Sequence, residues 1–312
     1  MPAGSPLLPG TSVTVRVPAS SANLGPGFDS IGLALGVWDE CTATVSDEPG
    51  LVVEVDGEGA GEVPLDGSHL VARTMRTAWR DVGVEPPPGL RLHCTNAVPH
   101  GRGLGSSATA IVMGIVVAQG LWAAALEGQP IDLEAINDLA ARLEGHPDNA
   151  SASVFGGLTV SWSDDLGEPG ATRTVRPSLH PDLDVVVFVP ETQLSTAKAR
   201  SVLPAQVRLA DAGANAGRAA LLVHAVTADP ALLLPATREW LHQEARRESY
   251  AASMILVDGL RAAGHAAVIS GAGPSVLVLT TRGAAPEVAD HGGAGWRVLR
   301  PGIPATGSHI VG

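Results

Sequence analysis

Residues 99–108 read Pro-His-Gly-Arg-Gly-Leu-Gly-Ser-Ser-Ala and run straight into a long apolar stretch. Glycines at 101, 103 and 105 remove side chains, so an oxyanion can approach the backbone closely. Ser106 and Ser107 stand where a helix would begin, and the first N–H groups of a helix have no partner inside it. Those donors and the helix dipole together bind phosphate. The segment reads as a nucleotide-phosphate loop, with an ordinary glycine-rich turn as the plainer alternative. Two better-known loops do not fit. A Walker loop needs a lysine after its second glycine, and Lys198 is the chain's one lysine. The dinucleotide pattern GxGxxG/A is matched by Gly103 to Ala108, but it needs an acidic residue closing a second strand about 20 positions on. Glu127 has the spacing, yet it ends an alanine-rich helical run.

The remaining composition bounds the partners. The 312 residues suffice for two domains with a real core. A formal net charge of −12 without a basic block argues against nucleic acid or an anionic membrane. An acidic protein that holds polyphosphate must neutralise it locally, with backbone N–H groups, a few arginines and Mg²⁺. Cys41 and Cys94 form no disulfide framework or zinc pattern, which fits a cytoplasmic enzyme. Ala108 to Leu126 carries no charge and nearly reaches membrane-spanning length, but its alanines, glycines, Thr109 and Gln119 favour a buried core helix. The first residues, Met-Pro-Ala-Gly-Ser-Pro, lack the charged and apolar regions of a signal peptide.

Along the chain, Thr11–Val17 reads as a strand, 19–27 as a loop, and Val37–Val45 and Leu51–Val55 as strands paired antiparallel. Ser68–Trp79 has helical spacing with Ser68 as its cap. Leu90–Cys94 feeds the glycine loop, and Ile131–Leu143 is an amphipathic helix before a strand at Leu158–Trp162. Further on, strands are expected at Asp184–Val189, Ala267–Ile269 and Ser275–Leu279, with helices near Gln206–Val226 and Tyr250–Ala263. The segment 163–171, rich in Asp, Gly and Pro, is the best boundary. The expectation is an α+β chain with domains at 1–168 and 169–312.

Three glycine-bearing segments need one explanation: Pro18 to Asp29, His100 to Ala108, and Ser270-Gly-Ala-Gly-Pro-Ser275. Together, and in this order, they resemble the three motifs of the GHMP kinase superfamily. In detail they are similar to the homoserine kinases of that superfamily, through Ala22-Asn-Leu-Gly-Pro-Gly-Phe-Asp29, Glu144-Gly-His-Pro-Asp-Asn149, Ser195-Thr-Ala-Lys-Ala-Arg200 and His242-Gln-Glu-Ala-Arg246. The resemblance implies an N-terminal domain with a left-handed βαβ crossover, against the usual hand, and a ferredoxin-like C-terminal domain. It implies transfer of the ATP γ-phosphoryl group to the hydroxyl of L-homoserine, in threonine biosynthesis, by a protein whose relatives are often homodimers.

By the same resemblance, His100, Gly101, Arg102, Gly103, Leu104, Gly105, Ser106 and Ser107 hold the nucleotide phosphates, and Ser107 and Glu144 hold Mg²⁺. Arg200 and Arg246 match positions for the substrate carboxylate, where a planar fork suits bidentate pairing. Asn23 and Asn149 match positions that bind the amino-acid end or the hydroxyl, Thr196 is expected to contact the phosphate or the substrate, and Asp29 matches the carboxylate nearest the acceptor hydroxyl. Asp29, Ser107 and Glu144 form the catalytic set, with Asp29 orienting the hydroxyl. His146 reads as a turn-shaping residue between Gly145 and Pro147. Two departures stand out: His69 where relatives carry Asn before Leu-Val near the adenine, and Ala245 where they often carry Tyr. The rivals are a family member acting on another hydroxylated amino acid, and a silent binding module. The module would be expected to lose Asp29, Glu144 or the serine pair, and all are present.

Overall fold

The structure, a computed structural model, describes residues 7–125, 131–163 and 171–311. The first half contains β1 (Ser12–Ala22), β2 (Ile31–Val45), β3 (Gly50–Gly57), α1 (Leu70–Asp81), β4 (Gly89–Asn96), α2 (Ser106–Ala125), α3 (Leu133–Glu144), α4 (Pro147–Phe155), β5 (Leu158–Ser163) and β6 (Thr172–Val175). The second half contains β7 (Leu183–Pro190), α5 (Thr196–Ser201), α6 (Leu209–Thr227), α7 (Leu233–Ala236), α8 (Ala251–Ala262), β8 (Ala266–Ile269), β9 (Val276–Thr281), α9 (Ala285–Ala289), β10 (Trp296–Leu299) and β11 (His309–Val311).

Seven strands make the first sheet, in the order β11-β1-β2-β4-β3, with β5 joining the start of β2 and β6 following β5. The second sheet has the order β10-β7-β9-β8, antiparallel throughout. With α6 between β7 and β8 and α9 between β9 and β10, it has the βαββαβ connectivity of the ferredoxin-like fold. The expected boundary near 168 lies outside the described residues. The first sheet draws on both sides of that division, because β6 and β11 both belong to it.

Several local expectations are corrected. β1 does not stop at Val17 but runs through to Ala22, and its register against β2 shifts between Pro18 and Ala19. A proline cannot donate to the ladder, so a register break is where a sheet accepts one. β3 does not pair with β2; it lies parallel to β4 and is joined to it through α1. Ser68 does not cap α1, because its N–H and hydroxyl both donate to Asp66 Oδ1, at 2.8 and 2.6 Å. His69 stands at the cap instead and makes no side-chain bond there.

Three apolar cores hold the layers together. The first fills the space between the large sheet and α1–α4, and α2 is its axis, buried from Ile111 to Ala118. A helix apolar on every side is a central one, and this is the one described helix long and apolar enough to cross a membrane. The second core joins the two sheets: Ala19, Leu33, Leu35 and Leu104 pack with Val185, Val187, Leu222 and Leu277. The third lies on the other face of the small sheet, under α8.

The sheet and α4 approach closely at Gly32, where an added Cβ would lie 2.0 Å from the carbonyl oxygen of Asp148. Gly32→Ala therefore forces backbone apart beside the cleft and should destabilise the protein by about 2 kcal/mol or more. The expected fall in melting temperature is roughly 4–8 °C; an unchanged transition would show that the strand and helix separate freely.

Candidate active site

Helix geometry sets out the site. Asp132 caps α3, accepting from the N–H groups of Glu134 and Ala135. The helix ends at Gly145 in the left-handed region (φ 88°), so Glu144 is its last residue. α4 then starts at Pro147, and His146, Asp148 and Asn149 come to the same cleft as Glu144. α2 starts at Ser106, after a loop in which Gly101, Gly103 and Gly105 all have positive φ. A Cβ on Gly103 would lie 2.3 Å from Ser270 O, and one on Gly105 2.2 Å from Ser20 Oγ. Those two positions admit no side chain.

The cleft measures about 140 Å³ and is walled by the first-motif loop, the glycine loop, α4, the start of α5 and Gly271. On one side Ser107 Oγ donates to Glu144 Oε2 at 2.8 Å. Burial holds the Glu144 carboxyl above its ordinary range, against the opposing pull of that hydrogen bond and of His146. His146 Nδ1 lies 2.7 Å from Asp148 Oδ1, and Asp148 is almost wholly buried. Burial pulls the imidazole pKa down, but the Asp148 bond and the Asp148 and Glu144 charges outweigh it and raise the net value. Asp29, His146 and Asp148 place ligand atoms within 4.8 Å of one another.

Facing them, Arg200 grips Asp29 bidentately: Nη1 to Oδ2 at 3.1 Å and Nη2 to Oδ1 at 2.5 Å. Asp29 sits at φ 54°, an unusual conformation for a residue with a side chain. Asn23 supports it by accepting the Asp29 N–H at 3.0 Å, while its amide donates to Gly271 O at 3.2 Å. Arg246 is 2% exposed, with Nε donating to Ala199 O and Nη1 to His242 Nδ1. His242 in turn donates Nε2–H to Gly25 O at 2.9 Å, which makes it the neutral tautomer, and burial lowers its pKa accordingly. Tyr250 packs against the same guanidinium and hydrogen-bonds to it. Burial foremost also lowers the Arg246 pKa.

Thus Asn23, Asp29, Gly101, Gly103, Gly105, Ser106, Ser107, Glu144, Asn149, Thr196, Arg200 and Arg246 share one cleft. Three expected phosphate-loop residues stand elsewhere. Arg102 spends its guanidinium on Pro190 O, Glu191 O and His100 O, which ties the loop to β7. Leu104 is core, 1% exposed. His100 lines a neighbouring cavity of about 300 Å³ that also reaches Ser106 and Ser107. Sequence reasoning missed Phe28: Arg200 and Arg246 lie 5.7 and 5.8 Å from its ring and His242 stacks at 5.2 Å. An aromatic beside Asp29 was the available signal. His146, read as a turn residue, lines the cleft.

This geometry coincides with two family models: GHMP kinases N terminal domain at residues 69–157 and GHMP kinases C terminal at 222–297. The chain belongs to the GHMP kinases. Among curated members it is 48% identical to a homoserine kinase of Streptomyces avermitilis, over 98% of both chains. It is also 48% identical to one of Mycolicibacterium vanbaalenii, over 92% of both. A crystal structure of homoserine kinase from Cytophaga hutchinsonii superposes with a TM-score of 0.84 at 25% identity, covering 96% of this chain and 98% of that one. A putative homoserine kinase from Listeria monocytogenes follows at 0.73 and 28%, covering 96% and 99%. In this GHMP kinase the glycine loop, the Asp29 loop and the Ser270–Ser275 turn meet around one cleft.

Glu144 gives a test that separates charge from shape. Its raised pKa means that ionisation is unfavourable in the fold, so the destabilisation grows as pH rises past the ordinary carboxylate value. Glu144→Gln keeps an acceptor for Ser107 and removes the buried charge. Above pH 6 the melting temperature should hold or rise, while kcat falls about 100-fold. A variant that loses stability and keeps activity would make Glu144 a structural residue.

Proposed function

We propose that the chain transfers the γ-phosphoryl group of ATP to the side-chain hydroxyl of L-homoserine, giving O-phospho-L-homoserine. The observation that carries this is the arrangement across one cleft: the Ser107–Glu144 pair at the N-terminus of α2 faces the Asp29–Arg200 pair. Phosphate binds at the first, an amino alcohol at the second. Curated relatives nearly half identical over the whole chain bear the same activity in their names.

Phosphoryl transfer requires alignment and charge neutralisation more than covalent chemistry. The N–H groups opening α2 and the glycines at 103 and 105 receive the phosphates. Ser107 and Glu144 offer a hydroxyl and a carboxylate oxygen 2.8 Å apart, the donor types a small hard cation takes. They are the residues that would hold Mg²⁺, which when bound neutralises phosphate charge. The Asp29, His146 and Asp148 group is a poorer fit, since one ligand is an imidazole and Asp29 is already committed to Arg200.

The Arg246 guanidinium lines the cleft as the cation for the homoserine carboxylate, with Asn149 and Thr196 on the adjoining wall. Asp29 holds the hydroxyl in line with the donor; both its oxygens already accept from Arg200, which suits orientation. Asn23 acts through Asp29 rather than on the substrate. The hydroxyl oxygen forms the new bond to phosphorus, the bond to the ADP oxygen breaks, and the hydroxyl proton leaves toward solvent. A cytoplasmic location accords with the acidic balance and the two unbridged thiols of Cys41 and Cys94.

Ala245, which raised the rival of a different amino-acid substrate, is exposed and lies outside the cleft, where Phe28 supplies the aromatic wall. An ADP-release assay across homoserine, threonine, serine and mevalonate should give turnover with homoserine first, lost on chelation and restored by Mg²⁺. A larger kcat/KM with threonine would overturn the acceptor. Asp29→Asn should lower turnover about 100-fold with KM for ATP nearly unchanged. Arg200→Ala should raise KM for homoserine at least tenfold more than KM for ATP; the reverse pattern would refute the pocket.

A further inference from the structure

A separate cavity of about 990 Å³ shares no residue with the catalytic cleft. Much of its wall comes from the two segments that cross between the sheets, 176–184 from β6 into β7 and 300–305 from β10 toward β11. Leu158, Leu179, Leu183 and Ile303 give it apolar surface, and Pro177, Pro181 and Pro301 stiffen its rim. A cavity of this size takes a small molecule.

Its charges set it apart. Arg176, Arg282 and Arg300 line it against a single carboxylate, that of Asp184. Each guanidinium is docked on another residue of the same wall. Arg176 Nη2 donates to Ala305 O at 3.4 Å and lies over the Phe155 ring, while Arg282 Nε donates to Pro181 O at 2.9 Å. Arg300 Nη2 stands 4.0 Å from Asp184 Oδ2, too far for a hydrogen bond. His180 Nδ1 accepts the Asp182 N–H at 3.2 Å, so the hydrogen of the neutral ring is on Nε2, a further donor.

Among the described residues no carboxylate comes within ion-pair distance of Arg176 or Arg282, whereas Arg16, Arg91, Arg142 and Arg247 each find one. Counter-charge is not scarce, since the chain has 32 acidic side chains against 20 basic ones. Three cations gathered against one anion therefore call for negative charge from outside the chain. A guanidinium already pinned by one contact loses little freedom on taking a second partner. Its remaining N–H fork matches the paired oxygens of a carboxylate or a phosphate.

We propose that this cavity binds a compact anion carrying at least two carboxylate or phosphate groups, anchored by Arg176 and Arg282 with Arg300 as a third cation. Both crossing segments contribute to the wall, so the bound anion ties them together and stabilises the folded chain.

Calorimetric titration in Mg²⁺-free buffer, with citrate, pyrophosphate and acetate as probes, tests this. Citrate or pyrophosphate should bind at least about tenfold more tightly than acetate. Binding of citrate alone assigns the cavity to a polycarboxylate, and binding of pyrophosphate alone to a phosphate compound. The double variant Arg176→Gln/Arg282→Gln removes two exposed charges and should weaken that binding at least about tenfold. The same probe should raise the melting temperature of the wild type by roughly 3 °C or more and leave the double variant unmoved. Turnover should be the same in both proteins, because neither arginine lines the catalytic cleft. Arg300→Gln, with a smaller loss of affinity, serves should the double variant fail to fold. An affinity for both polyanions no better than for acetate would overturn the proposal. So would full affinity in the double variant, which would place the anion on the phosphate loop instead.

Discussion

The side chain of Ser270, wholly buried, is the knot on which the site depends. Its hydroxyl lies 2.6 Å from Gly103 O and 2.8 Å from Ser21 Oγ. Around it, Gly271 N–H donates to Ala22 O, Asn23 Nδ2 donates to Gly271 O, and Ser275 N–H donates to Arg102 O. The end of β1, the phosphate loop and the turn before β9 are thereby one hydrogen-bonded unit, although nearly 250 residues separate their extremes. Burial strengthens such a network and makes any gap in it costly. The absence of a side chain at 103 is what lets the phosphate loop and the turn before β9 meet backbone to backbone.

Around this polar knot the fold is tied by apolar contact. The second core takes residues from both sheets, so the cleft stands on a shared base rather than on two separately packed lobes. Electrostatics is concentrated where it works. In a chain of net charge −12, Arg200 and Arg246 are gathered on the Phe28 ring with Asp29 as counter-charge. One guanidinium is locked by its carboxylate; the other is buried and held by Ala199 O and His242.

Much of this was legible in the sequence, and what was missed has definite physical causes. The phosphate loop was readable because positive φ, missing side chains and a helix start each leave a local mark at Gly103, Gly105 and Ser106. Helix ends with strong stops, such as Gly145, were close to their expected places. The pairing of β3 was misjudged because alternation identifies a strand and not its neighbour. β1 was cut short because a proline looks terminal until a partner strand supplies a register shift. Arg102 and Leu104 came with the phosphate motif as a whole, and a motif does not say where each side chain turns: one goes to β7 and the other into the core. Whether Asn23 touches substrate or carries Asp29 depends on contacts across 248 positions, which no local pattern encodes.

The strand β11 has a consequence for how the protein is made. Residues 309–311 form an edge of the first sheet against residues 14–16 of β1. On the ribosome the amino-terminal strands emerge first, and their sheet must wait with that edge of β1 unpaired while some 290 residues are added. Domains that finish as they emerge avoid this exposure. Here segments nearly 300 residues apart close the same ladder, so the first sheet gains this strand only after the second sheet has been made.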